Sequence, residues 1–373
     1  MRIAVRWSGL AAALFAMLIM SGCTHPSALV PDMLPGDSLG HDNLKEHGDQ
    51  LCSRLAESSN GRDCSNEFHL RFKECQGRSG AVADGAHLGN LRGYRVLIVH
   101  GLLGEVGLKF THFLDRIDGR QHLIDYLKDQ QKALEGDGVE VEELDHKSDS
   151  VERGGAEVAR RILASDRPVV ILSHSKGCLD TLEALLTLQR DGKLFKVAGW
   201  VAMQGPFHGA PEADEIVASQ VRKIATRVAL NCLGARSTAV NDMTSVVRED
   251  YLQTHRDEIE RLIANIPVIS FASWKENPKQ PGTDSDGAVP VDSAVLPGSD
   301  FVLAQGLSHS ATVIGGPREF NRRAFTRALM LMLLNRVGTA KVAEGGELQP
   351  VIGSVPGQEH RTIEVKSPST AKK

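Results

Sequence analysis

The chain has 373 residues, 41% of them apolar, and a formal net charge of −4 at pH 7. That is enough apolar material for a sizeable core, arranged as one large domain or two. Acidic and basic residues are mixed throughout, with no basic stripe and no aromatic-basic interleaving, so nucleic acid is not an expected partner.

Arg2 and Arg6 precede an apolar run over residues 10–20 that ends in Met20-Ser21-Gly22-Cys23. A basic start, a short apolar stretch and small residues before a cleavage point describe an export signal over residues 1–22. The run is too short for a comfortable membrane span. Its Ser-Gly-Cys ending resembles a bacterial lipoprotein signal, with Met20 where leucine is more usual. That resemblance implies a lipid anchor on Cys23 and, because Thr24 follows, sorting to the outer membrane of the cell envelope. The alternative is an ordinary secretory signal and a periplasmic or secreted product.

Residues 23–93 are polar, rich in Gly, Ser, Asp and His, and punctuated by Pro26, Pro31 and Pro35. They read as a tether between anchor and domain, with local folding over residues 51–75 if a disulfide pins it. Export leaves Cys52, Cys64, Cys75, Cys178 and Cys232, an odd number in an oxidising compartment. One local bridge among the first three is expected, and the connectivity is open. Cys178 reads as a small buried residue. No CxxC or Cys/His cluster occurs, so neither a metal nor another cofactor is expected.

The globular pattern begins at Tyr94. Residues 95–99 form an apolar, β-branched run, followed by His100-Gly101-Leu102-Leu103-Gly104. Further strands are predicted over residues 139–144, 168–172, 197–203, 267–272 and 301–304. Helices are predicted over residues 122–134 and, with Ala156, Ala159, Ile162 and Leu163 on one face, before the third strand. Leu179, Leu182 and Leu186 mark another helix after that strand. Strands alternating with helices specify a parallel, doubly wound sheet whose functional loops share one edge. Between residues 209 and 265 the alternation lapses into helical stretches at 216–230 and 251–263, which read as a small cap beside the site or as extra packing helices. A last helix is predicted over residues 318–334, and a disordered tail over 338–373.

The run at 168–172 feeds Ser173-His174-Ser175-Lys176-Gly177 and then the Leu179 helix. A strand turning sharply into a helix through Ser-x-Ser-x-Gly is the setting of a nucleophile elbow. Ser173 stands where glycine is usual. A serine hydroxyl needs a base, and the base needs an orienting carboxylate. In elbow folds these follow in the order Ser, acid, His, each after a later strand. Asp286, in Asp284-Ser285-Asp286-Gly287, is the expected acid, with Asp284 a weaker candidate. His309, in Gly306-Leu307-Ser308-His309-Ser310, is the expected base, since His360 lies in the tail. The backbone N–H groups of Leu102 and Lys176 are the expected oxyanion donors. The Lys176 side chain is expected in solvent, His174 to pack away from the nucleophile, and His208 at most to line the mouth.

Taken together, His100-Gly101-Leu102, Leu134-Glu135-Gly136-Asp137-Gly138-Val139, Ser173-His174-Ser175-Lys176-Gly177, Gln204-Gly205-Pro206-Phe207-His208-Gly209 and Asp286-Gly287-Ala288-Val289-Pro290 resemble the α/β-hydrolase superfamily. They are most similar to bacterial triacylglycerol lipases and related esterases, over residues 94–337. The resemblance implies an α/β-hydrolase fold, a mostly parallel sheet with helices on both faces. It also implies a serine hydrolase acting on carboxylic esters, in particular acyl esters of lipids, through an acyl-enzyme. Calcium-binding members carry an aspartate two residues after the catalytic histidine; Ala311 stands there, so no calcium site is expected. Two other readings remain: a non-catalytic envelope lipoprotein that keeps the fold as a binding scaffold, and an acyltransferase using the same three residues.

Overall fold

The structure, a computed structural model, describes residues 42–77, 89–102, 126–144, 150–219, 238–275, 284–314 and 320–343. The export signal, Cys23, Thr24 and Cys232 lie outside these residues, as do residues 220–237 of the expected cap. Among the described residues no helix is long and apolar enough to cross a membrane.

Six strands, β1 (Arg95–Val99), β2 (Glu140–Leu144), β3 (Val169–His174), β4 (Val197–Met203), β5 (Val268–Trp274) and β6 (Asp300–Gln305), form one sheet in the order β2-β1-β3-β4-β5-β6. Every pairing is parallel. All six strands expected from the sequence are present, because strands covered on both faces read as near-continuous apolar runs. Period-two alternation sorts their side chains into two cores. Val96, Ile98, Val170, Leu172, Val201 and Phe271 face one layer of helices. Leu97, Val99, Ile171, Trp200 and Ala202 face the other. Val99 pairs with Ser173, so the loops after β1 and β3 begin side by side. From there the chain leaves toward β2 in one case and β4 in the other, which opens a crevice at the strand ends.

The segment expected to be a tether is, over its described part, two helices: α1 (Asp42–Ser59) and α2 (Ser65–Gly77). Phe68 and Phe72 enter the first core, and Leu51 and Leu55 pack with Trp274, Val291 and Phe301. The turn between the helices covers the exposed edge of β6. Phe301 N–H donates to Arg62 O at 2.9 Å, Cys64 N–H to Phe301 O at 2.8 Å, and Leu303 N–H to Ser65 Oγ at 2.9 Å. Pairing an edge this way removes a template for aggregation. No disulfide is needed: Cys52 and Cys64 are both free thiols, which rules out the expected bridge among the first three cysteines. Burial pushes the Cys52 thiol up to about 12.

After α3 (Lys128–Gly136), helix α4 (Val151–Ala164) buries Ala159 and Ile162 as expected, on a face rotated away from the other two expected positions. Ala156 and Leu163 are exposed, and Val151, Gly154, Gly155, Val158 and Ile162 are buried. Gly154 explains the rotation: a Cβ there would lie 2.4 Å from the Asp180 carboxyl carbon on α5 (Lys176–Arg190), so only glycine lets the two helices approach this closely.

The insertion divides into two parts. Its first, α6 (Pro211–Ala218) and the turn Thr238–Asn241, carries Ala210, Ala213, Ile216, Val217 and Val240 into a small cluster with Leu102 and Met243. Its second breaks at His255 into α7 (Ser245–Thr254) and α8 (Arg256–Asn265), where one helix was expected. Leu252, Ile259 and Leu262 there join the second core, so this half is packing structure. The last helix, α9 (Arg322–Ala343), continues past residue 338, where a disordered tail was expected to begin; residues 344–373 lie outside the described set.

Phe68 is 1% exposed and its ring meets those of Phe72, Phe271 and Phe325. Phe68→Ala is therefore expected to cost about 3–5 kcal/mol, as for other buried aromatic truncations, measured by urea unfolding. A segment acting only as a tether would show no change.

Candidate active site

β3 runs straight into the turn, and Ser175 adopts φ 56° and ψ −132° as the N-cap of α5. Positive φ is unfavourable for a side-chain-bearing residue and here arises from the geometry of a strand doubling into a helix. Two hydrogen bonds hold it: Ser175 N–H to Met203 O and Cys178 N–H to Ser175 O, both 2.9 Å. Close approaches hold it as well. A Cβ on Gly177 would lie 2.6 Å from His100 O, and one on Gly101 would lie 2.7 Å from Ser175 Cβ. Ser173, in the usual glycine position, uses its hydroxyl: it accepts from Trp200 Nε1–H at 2.7 Å and donates to Cys178 Sγ at 3.2 Å. Burial pushes the Cys178 thiol up to about 12, which keeps it an unreactive packing group as expected.

The three residues singled out by chain order meet at this turn. His309 Nε2 is 3.0 Å from Ser175 Oγ, and His309 Nδ1 is 2.8 Å from Asp286 Oδ2. Asp286 is itself fixed: its Oδ1 accepts from the Ala288 and Val289 amides at 2.9 and 2.8 Å, and its carbonyl accepts from His309 N–H at 3.0 Å. Ser175, Asp286 and His309 are 7%, 1% and 3% exposed, so all three are shielded from bulk water. With Nδ1 donating to the carboxylate, Nε2 is left to accept the hydroxyl proton.

Leu102 follows Gly101, whose backbone touches the serine, and Lys176 is the first residue of α5. The first amides of a helix have no intrahelical acceptor and carry partial positive charge, which suits them to an anion beside Ser175. The Lys176 side chain is not in solvent. It is buried, with Nζ 2.6 and 2.9 Å from the two carboxylate oxygens of buried Asp180. A pair four residues apart on a helix was visible in the sequence and is the signal that would have found it.

Asp284, the second-choice acid, faces the other way. His47 Nε2 lies 2.6 Å from its Oδ1 and Arg54 Nη2 3.3 Å from its Oδ2, so α1 grips the loop that carries Asp286. His208 pairs with Glu249 at 2.7 Å and takes no part in the relay. Glu212 was passed over in the sequence. Glu212 is exposed yet lies near enough to Asp286 and His309 for their charges to act on it; loss of water on its protein side, then the Asp286 charge, raises its carboxyl above the ordinary range. The Ala210, Ala213, Ile216, Val240 and Met243 cluster gives the Leu102 side of the crevice an apolar wall. Among the described residues no group of three or more His, Cys, Asp or Glu side chains is placed to hold a metal ion.

No family profile and no curated protein sequence matches the chain. Solved structures do. A metagenomic carboxyl esterase, MGS0156, superposes with a TM-score of 0.58 and 16% identity, over 86% of this chain and 99% of that one. The mature Bacillus licheniformis lipase BlEst2 gives 0.44 and 17%, over 68% and 92%. A soluble variant of Saccharomyces cerevisiae monoglyceride lipase gives 0.38 and 15%, over 65% and 87%. The parallel sheet, its helical layers and the first of these superpositions establish the α/β-hydrolase fold.

Because both members of the Lys176–Asp180 pair are desolvated, removing one takes from the other's buried charge its hydrogen-bonded counter-ion. Lys176→Met or Asp180→Asn alone is expected to cost about 3–5 kcal/mol in urea unfolding, and the apolar double replacement Lys176→Met with Asp180→Leu much less. Equal costs for single and double variants would show that packing, and not charge, holds the turn.

Proposed function

We propose that the protein is a serine hydrolase of carboxylic esters, with acyl esters of lipids as its substrates and a covalent acyl-enzyme as intermediate. The observation that carries this reading is the Asp286–His309–Ser175 chain, at 2.8 and 3.0 Å, ending on a serine at a positive-φ strand-to-helix turn. In this reading His309 Nε2 takes the proton as Ser175 Oγ attacks the ester carbonyl. The oxyanion of the tetrahedral intermediate is held by the Leu102 and Lys176 amides, a device worth about 3–4 kcal/mol per donor. Collapse expels the alcohol, which receives the proton from His309, and water then releases the acid by the same steps in reverse roles. Asp286 keeps Nδ1–H in place and stabilises the imidazolium that forms. The apolar wall beside Leu102 supports an acyl chain lying on that side, and the esterase superposition agrees with the reaction class.

Ser175→Ala is expected to abolish both hydrolysis of p-nitrophenyl esters and labelling by a fluorophosphonate. Asp286→Asn, which disturbs the tautomer, should lower kcat by the order of 10⁴-fold. Across a panel from acetate to palmitate, kcat/KM should rise with acyl length. A fully active Ser175→Ala protein would end the proposal, and a preference for acetate would remove its lipid part.

The proposed address rests on the amino-terminal sequence alone: export, lipidation at Cys23 and residence in the outer membrane. Detergent-phase partitioning of the expressed full chain is expected to be lost in Cys23→Ala. Partitioning that survives the substitution would exclude the anchor.

A further inference from the structure

His174 is completely buried, precedes the nucleophile, and has no step of its own in the chemistry above. Among the described residues, its bonds lead to other loops of the site. Nε2 is 3.1 Å from the His309 carbonyl oxygen and 3.1 Å from Gln204 Oε1, while Nδ1 is 2.5 Å from the Tyr126 hydroxyl. A carbonyl can only accept, so Nε2 bears the proton. Burial, together with the nearby His309, drives the His174 imidazole well below its ordinary titration range, so the ring is neutral. Nδ1 then accepts from Tyr126 O–H, and the Tyr126 oxygen in turn accepts from Gly101 N–H at 3.2 Å.

With the neutral ring the donors run in one sense along the chain: Gly101 N–H to Tyr126, Tyr126 O–H to His174 Nδ1, His174 Nε2–H to the His309 carbonyl. Its members are secured at the sides. Leu127 N–H donates to Val313 O at 2.7 Å, which places Tyr126 beside the His309 loop. Gln204, held at φ 52°, accepts from Thr312 Oγ1 at 2.7 Å and donates to Ser273 Oγ at 2.7 Å. The His174 and His309 rings lie 4.7 Å apart, centroid to centroid. A neutral neighbour at that distance tolerates the imidazolium that His309 becomes, where a cation would oppose it.

We propose that His174 is a positioning residue, whose single imidazole ties the backbone of His309 to the Gly101–Leu102 loop through Tyr126, so that the base and the oxyanion donor keep their spacing about Ser175. This rests on the ester-hydrolase reading above and assigns that site a part its three reacting side chains do not supply. A buried network joining four loops is stiff only while each member is satisfied, because an orphaned donor or acceptor costs about 1–3 kcal/mol.

The test compares wild type with His174→Phe, His174→Gln, His174→Asn and Tyr126→Phe, reading kcat and KM on p-nitrophenyl butyrate, the rate of fluorophosphonate labelling, and Tm. Phenylalanine keeps a ring and loses all three bonds; kcat and labelling rate should fall about 10–100-fold with KM little changed, the equivalent of one to two net hydrogen bonds. Glutamine places its amide N–H near the Nε2 position and should recover part of kcat, while asparagine, reaching only the Nδ1 position, should not. Tyr126→Phe should lose kcat, less steeply, with a folded protein. If His174→Phe or, where that variant does not fold, Tyr126→Phe retains wild-type kcat, the inference is overturned. Equal kcat for the glutamine and asparagine variants, or losses that follow Tm alone, overturn it too. Wild-type protein inert to both ester and fluorophosphonate defeats the hydrolase reading itself; an active, Ser175-dependent wild type with indifferent His174 variants defeats only this one.

Discussion

Ser175 is held in a backbone conformation that side-chain-bearing residues avoid, at a cost of the order of 1–3 kcal/mol. The surrounding structure is arranged so that the chain has no cheaper alternative. β3 cannot slip, because Val99 and Met203 flank its end in register and the Met203 carbonyl takes the serine amide. α5 cannot retreat, because Gly177 lies against the His100 carbonyl and Gly154 lets α4 close over the Lys176–Asp180 pair. The same restraints lift the hydroxyl clear of the helix and aim the first helical amides beside it. Backbone strain, the placement of the Ser175 hydroxyl against His309 and the orientation of the helix amides are three results of one turn.

What reaches that turn from elsewhere comes along the carboxyl ends of parallel strands. The loops after β1 and β3 diverge and open the crevice, and the loops after β5 and β6 bring Asp286 and His309 to it. These loops are long enough to wander, and each is tethered at its back. Asp284 is gripped by His47 and Arg54 of α1, and the His309 carbonyl by His174. The amino-terminal helices therefore serve the site as well as the sheet edge. They close β6, fill the core with Phe68 and Phe72, and brace the acid loop from outside.

The strands were legible because burial on both faces leaves no polar residue to interrupt them, as in Val96-Leu97-Ile98-Val99 or Val169-Val170-Ile171-Leu172. Ser175, Asp286 and His309 were legible because chain order in this topology assigns each to the end of a successive strand. α1 and α2 were not. Leu51, Leu55, Phe68 and Phe72 are thinly spread in a polar stretch, and their partners Trp274, Phe271 and Phe325 lie far along the chain. Gly154 and Gly155 look like interruptions of a helix and are its contact surface, since what makes them useful is the neighbour they admit. Lys176 looks like a solvated cation until Asp180 is placed beside it under α4.

From its residues alone, then, this chain declares a parallel sheet, a strand-to-helix serine turn, and an acid and a histidine in the order that brings them to one edge. Those properties depend on hydrophobic periodicity and local backbone sterics, which act over a few residues and leave their mark in composition. Whether a polar segment is a strap or a wall, how far the buried face of α4 turns toward its glycines, and what the histidine before Ser175 holds are decided only on folding. Each depends on a group distant in sequence, as Phe68 depends on Phe325 and His174 on the His309 carbonyl. Tertiary structure supplies the partner, and with it the energy that determines the arrangement.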